Sequence, residues 1–124
     1  MTAELWCFGE SGNAYKAALT MELAGYDWRP VYVDFFNGEA RSPEFRALNE
    51  MGEVPVFREG DLTLTQSAVI QLHIAERSGK FQGQDRNEVL RWLMFDNHKL
   101  SAQAGSARFL MNFLPAAKRP QAVI

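Results

Sequence analysis

Three short segments offer groups that could hold a small anion. Ser11 follows the apolar run 5–8 and heads a segment with helical spacing. A hydroxyl there can cap the helix, at about 1 kcal/mol. In a partly dry cleft it can also donate to a negatively charged atom, helped by the positive end of the helix. Asn13 lies in the same first turn and offers an amide, or simply shapes the turn. Ser67, after Gln66, opens another helical segment. Its backbone N–H suits a carboxylate; the plainer reading is a cap, with Thr65 as the competing cap. Between them stands Val54-Pro55, where the proline removes a backbone donor at a strand edge. The plainer reading is a structural kink that binds nothing.

Other residues carry less. Cys7 lies inside the first strand, away from a helix N-terminus, and reads as a small core residue. A lone cysteine makes no internal disulfide, which fits a reducing compartment. His73 and His98 have no second ligand at metal spacing, so no metal is expected. Lys and Arg number 13 against 15 Asp and Glu, a net charge of −2 with no basic block. That excludes a dedicated nucleic-acid surface and a polybasic membrane patch. No apolar run approaches the roughly 20 residues of a membrane span, and the first residues lack a signal-peptide pattern. Cytoplasm is the expected location.

The elements that position these groups follow from periodicity and punctuation. Residues 5–8 read as a buried strand. Residues 12–24 read as a helix, capped by Ser11 and stopped by Gly25. Residues 26–36, rich in Val, Tyr and Phe, read as a second strand, parallel to the first. Residues 37–41 form a loop. Ser42, Pro43 and Glu44 start a short helix that ends near Asn49. Residues 54–57 and 62–64 form an antiparallel hairpin around Gly60. Residues 67–77 form a helix apolar on most sides, which is buried or meets a partner. A polar linker at 79–84 separates residues 1–78 from residues 85–124. The latter carry one long helix with the stripe Val89, Leu93, Leu100 and Ala104, loosened near Gly105. The order β-α-β-α-β-β-α predicts an α/β domain with a mixed four-stranded sheet.

Ser11-Gly12-Asn13, Glu53-Val54-Pro55-Val56 and Leu64-Thr65-Gln66-Ser67-Ala68-Val69-Ile70 occur in the order and spacing of the glutathione transferase family. Gly38-Glu39 and Ser42-Pro43-Glu44-Phe45 add to the likeness. The chain resembles bacterial and theta-like members over about residues 3–114. The resemblance implies a thioredoxin-like glutathione-binding domain at 1–78 and the start of a truncated helical domain at 85–124. It implies that glutathione is a substrate, that Ser11 holds its sulfur, and that Asn13 is a second catalytic candidate. It further implies a cis Val54–Pro55 bond whose Val54 backbone pairs with the tripeptide, and a γ-glutamyl end held by Gln66 and Ser67.

Two positions depart from the family pattern. Glu53 replaces a basic residue common before Val-Pro, and Ala40 replaces a histidine frequent after Gly-Glu. Arg41 is left to meet the glycyl carboxylate, and Glu53 repels that group unless Arg41 or Arg58 pairs with it. The family's second domain is a bundle, and residues 85–124 have room for one helix. The unpartnered stripe therefore predicts a homodimer through the third and fourth helices, with exchange of a helix as one form. The expected activity is conjugation of glutathione to an electrophilic small molecule. The alternative is a non-enzymatic binding or assembly module on the same fold.

Overall fold

The computed structural model describes residues 1–120 of the 124. They form two compact units, Met1–Gln82 and a second beginning at Gly83. The first holds a four-stranded sheet in the order β2-β1-β3-β4. Its strands are β1 (Ala3–Cys7), β2 (Trp28–Tyr32), β3 (Val56–Glu59) and β4 (Leu62–Thr65). β1 pairs parallel to β2 and antiparallel to β3, and β3 pairs antiparallel to β4. This is the mixed four-stranded sheet expected from the element order, in the thioredoxin-like arrangement that the resemblance implies.

Helix α1 (Gly12–Ala24) connects β1 to β2. Ser11 Oγ accepts the Ala14 N–H at 3.1 Å and starts it. Gly25, at φ +67°, ends it by donating to the Glu22 carbonyl at 3.1 Å. A side chain in that left-handed conformation would cost the helix its stop. Ala14, Ala17, Met21 and Ala24 form the buried face. Helix α2 (Pro43–Leu48) starts on Ser42, whose Oγ accepts from the Phe45 N–H, with Pro43 in its first turn. Helix α3 (Ser67–Ser78) follows the hairpin.

The central strand splits the core in two, because alternate residues face opposite sides of a sheet. On one side Ala3 and Leu5 pack with Ala17, Met21, Phe57, Ile70 and Ile74, under α1 and α3. On the other, Val33, Ala40, Phe45 and Val56 close a smaller core with Trp6, Phe35 and Leu48 at its margin. A polar tie closes the far end of the first core. The Tyr26 hydroxyl sits 2.9 Å from both carboxylate oxygens of Glu59 and donates to them.

Several boundaries differ from the sequence reading. The second strand stops at Tyr32. Two 3₁₀ turns, Phe35–Asn37 and Glu39–Arg41, occupy the following stretch. Phe35 there stacks on Phe8 instead of extending the ladder. β3 begins at Val56, after the proline, since Pro55 can give no ladder bond. In the second unit, α4 (Arg86–Phe95) runs through a π-helical stretch, Asp96–Ser101, into α5 (Ala102–Asn112). The irregularity is at Asp96–Ser101 and not at Gly105. Ser101 Oγ donates there to the Asp96 carboxylate at 3.1 Å, across the five-residue offset of that stretch. The expected tail after Pro115 has one 3₁₀ turn, Ala116–Lys118. Residues 121–124 of the expected tail lie outside the described residues.

Phe57 is fully buried and packs in the larger core. Phe57→Ala should destabilise the first unit by about 3–5 kcal/mol, read as a shift of the urea midpoint. Val69→Ala, at an exposed position of α3, should change it by no more than about 0.5 kcal/mol.

Candidate functional site

The ladder register brings the sequence-predicted segments to one end of the sheet. Trp6 pairs with Val56, and Val56 with Thr65. On the other flank Cys7 pairs with Tyr32. From that common row the chain leaves β1 toward Ser11 and leaves β2 toward Arg41. It enters β3 from Val54-Pro55 and leaves β4 toward Gln66 and Ser67. Antiparallel pairing thus places a strand start beside three strand ends.

Ser11 is half-buried, and Asn13 is exposed on the first turn of α1. Because Ser11 Oγ accepts from Ala14, it caps the helix and still has its own proton to donate. Capping and a second donor role are therefore compatible. The Val54–Pro55 bond is cis. Pro55 is buried and Val54 half-buried against the smaller core. Among the described residues, no hydrogen bond uses the Val54 N–H or C=O.

Gln66 precedes α3 with φ +75°, and no side chain caps that helix. The hydroxyls of Ser67 and Thr65 therefore do not act as caps. The first N–H groups of α3 lack intrahelical partners, as at any helix start. Ser67 is 4% exposed, whereas Gln66 is exposed. Gln66 Nε2 reaches Met51 Sδ at 3.3 Å, which ties the start of α3 to the 49–53 turn.

The cationic side of the site differs from the reading. Ala40 is 1% exposed and packs with Val33, Phe45 and Val56, so that position faces the core. Arg41 is exposed, and its guanidinium folds back on its own turn. A side chain at Gly38 would bring its first carbon within 3.2 Å of Arg41 Nη2. Glu53 is exposed and pairs with neither Arg41 nor Arg58.

Asn49 is a residue that the sequence did not single out. It is 1% exposed. Its Nδ2 donates to the Glu53 carbonyl at 2.8 Å, and its Oδ1 accepts the Met51 N–H at 3.2 Å. One buried amide therefore shapes the turn that delivers Val54-Pro55. The only signal was a polar residue at the stop of a short helix, where an asparagine usually attracts no notice.

A cavity of about 410 Å³ opens beside Ser11, between α1 and the edge strand β2. Cys7 reaches it, half-buried and packed at the margin of the larger core. Burial pushes its thiol above the usual cysteine value, and a hydrogen bond to the Val31 backbone opposes this more weakly. His73 packs its ring 5.3 Å from Phe57, with Nε2 3.9 Å from Glu59 Oε1. Among the described residues, no group of three or more His, Cys, Asp or Glu could hold a metal ion. None of their helices is long and apolar enough to cross a membrane.

Comparison with known proteins fits this geometry. The sequence model described as "Glutathione S-transferase, N-terminal domain" matches residues 1–76. Glutathione S-transferase 4 of Zea mays is 35% identical over 116 residues, covering 88% of this chain and 52% of the relative. The transcriptional regulator URE2 of Saccharomyces cerevisiae is 26% identical over 107 residues, covering 77% and 30%. The crystal structure of a possible glutathione S-transferase from Rhodopseudomonas palustris superposes with TM-score 0.82 at 32% identity, covering 92% of this chain and 53% of that one. The chain belongs to the glutathione S-transferase family. It spans about half the length, or less, of the curated relatives it matches. These relatives come from a plant, a yeast and a bacterium, and they give the family without a bacterial or theta-like subgroup.

Two outcomes follow from Asn49 and Cys7. Asn49→Ala strands the Glu53 carbonyl and the Met51 N–H, so it should cost about 1–3 kcal/mol and speed hydrogen exchange at Met51 and Gly52. The folded Cys7 thiol keeps its proton to higher pH than the unfolded one, so its contribution is complete below the reference value of 9.0. That contribution is lost as the pH rises through the folded value. Chemical denaturation against pH should show this decline, and Cys7→Ala should flatten it.

Proposed function

We propose that the chain binds glutathione and holds its sulfur as a thiolate for attack on an electrophilic small molecule. The observation that carries this reading is the convergence at one sheet end of three complementary groups. Ser11 has a hydroxyl proton to give, Val54 has an unpaired backbone, and α3 has an uncapped N-terminus. Glutathione needs a donor for sulfur, an extended partner for its peptide, and a place for its γ-glutamyl carboxylate. Ser11 donates to the sulfur, and Asn13 stands in the same turn. Val54 pairs with the peptide beside Pro55, and Gln66 with Ser67 receives the carboxylate. Arg41 meets the glycyl carboxylate once its side chain swings off Gly38.

Lowering a thiol pKa by two units takes roughly 2.7 kcal/mol. A charge-assisted hydrogen bond and a helix N-terminus together reach that range. The thiol proton leaves to water. The sulfur lone pair then forms the new bond to the electrophilic carbon, and the leaving group departs with the displaced electron pair.

A second reading is a non-enzymatic glutathione-binding or assembly module. Unpaired Glu53 favours it, because that charge stands beside Val54 and weakens the anion site. Assembly is supported under either reading. From Gly83 onward no described residue is buried, and Trp92, Met94, Phe95 and Leu100 are all exposed. These exposed side chains support a homodimer through α3 and α4, with exchange of a helix as one form, in a cytoplasmic protein; light scattering at high concentration should then show no monomer.

An ultraviolet difference titration with glutathione at neutral pH tests the site. A saturable thiolate band that disappears in Ser11→Ala supports activation; no band at millimolar glutathione would sink the reading. Glu53→Gln should tighten glutathione binding by up to about fivefold, the scale of one exposed charge. Conjugation measured on Ser11→Ala separates the readings: a transferase loses most turnover, and an assembly module has none to lose.

A further inference from the structure

The turn that delivers Val54-Pro55 also carries a thioether. Met51 is 54% exposed, yet it is not a loose surface residue. Its N–H donates to the buried Asn49 Oδ1 at 3.2 Å, and the Gly52 N–H donates to the Asn49 carbonyl at 3.0 Å. The backbone that carries the side chain is thus fixed. At its far end Met51 Sδ accepts from Gln66 Nε2 at 3.3 Å. Gln66 is exposed and holds φ +75°, a conformation uncommon for a residue with a side chain. The amide at the start of α3 is therefore tied to one thioether on a neighbouring turn. Met1, Met94 and Met111 are exposed as well. Among the described residues, though, Met51 is the methionine whose Sδ meets a candidate site residue.

The chemistry of a thioether makes this tie changeable. Such a sulfur is a weak acceptor, so the Gln66 amide can turn away from it at small cost. The sulfur also keeps a lone pair for an oxidant. That lone pair attacks one oxygen of hydrogen peroxide, and the O–O bond breaks. The sulfur gives up two electrons and becomes a sulfoxide. The other oxygen leaves as hydroxide and takes up the proton from the transferred oxygen, as water. The sulfoxide oxygen is polar and accepts more strongly than the thioether. It holds the Gln66 amide against Met51. It also sets the negative end of a dipole beside the start of α3, the end of a helix that attracts anions. Both changes oppose a carboxylate arriving there.

We propose that Met51 is a peroxide-sensitive modification site, and that its conversion to the sulfoxide weakens glutathione binding through Gln66. The effect on glutathione rests on the binding reading above; the oxidation and its hold on Gln66 do not.

The test uses the full chain carrying Cys7→Ala, so that no thiol competes for the oxidant. The chain is treated with hydrogen peroxide, and oxygen uptake at each methionine is mapped by peptide mass. Met51 should be modified, while the fully buried Met21 should stay untouched as the mark of an intact fold. The Gln66 side-chain amide is followed by nuclear magnetic resonance and glutathione affinity by calorimetry. Oxidation should move the Gln66 amide signals and raise the glutathione Kd about 2–12-fold, the scale of one hydrogen bond. Met51→Leu should lose both responses while Met94 and Met111 still take up oxygen. A Met51 that resists peroxide, an amide signal that stays put, or a Kd that rises equally in Met51→Leu would overturn the proposal. A moved amide signal with an unchanged Kd would overturn the coupling to glutathione. If the untreated chain binds no glutathione, the binding reading has failed, and the amide signal alone decides the oxidation site.

Discussion

Everything at the candidate site depends on the pairing of β1 with β3. The contact between Trp6 and Val56 fixes which end of the sheet each connection leaves from. A slip of one residue would invert one strand against the other, turning Phe57 out of the larger core and Val56 into it if β3 is the strand that shifts. Such a slip is opposed by both cores at once, because each strand contributes buried side chains to both faces. Ala14, Ala17 and Ala24 let α1 sit close to the sheet, while Phe57, Ile70 and Ile74 fill the remaining volume. The site is therefore positioned by burial, through a ladder whose own residues take no part in binding.

The fold was largely readable because its punctuation is local. Ser11 and Gly25 bracket α1, Ser42-Pro43 starts α2, and Gly60 turns the hairpin. Each acts within a few residues, so the sequence shows it directly. The candidate residues around Ser11, Val54-Pro55 and Ser67 rest instead on the family pattern, since each alone reads as well as a cap or a kink. What the sequence hid depends on distant partners. Phe35 looked like strand because its stacking on Phe8 joins positions 27 apart in the chain. Ala40 looked like a site position until Val33 and Val56 closed around it. Asn49 resembles any helix-ending asparagine until the Glu53 carbonyl is seen above its amide. The irregular turn at Asp96–Ser101 left no glycine or proline to announce it.

The outer edges of the sheet are not equivalent. β2 carries Pro30 at its middle, paired with Leu5, and a proline leaves an edge with fewer groups for a further strand to join. β4, Leu62–Thr65, has no such block and begins at the exposed Leu62 and Thr63. Lateral growth of the sheet by a foreign strand is thereby directed to one side only, the side away from the cavity beside Ser11.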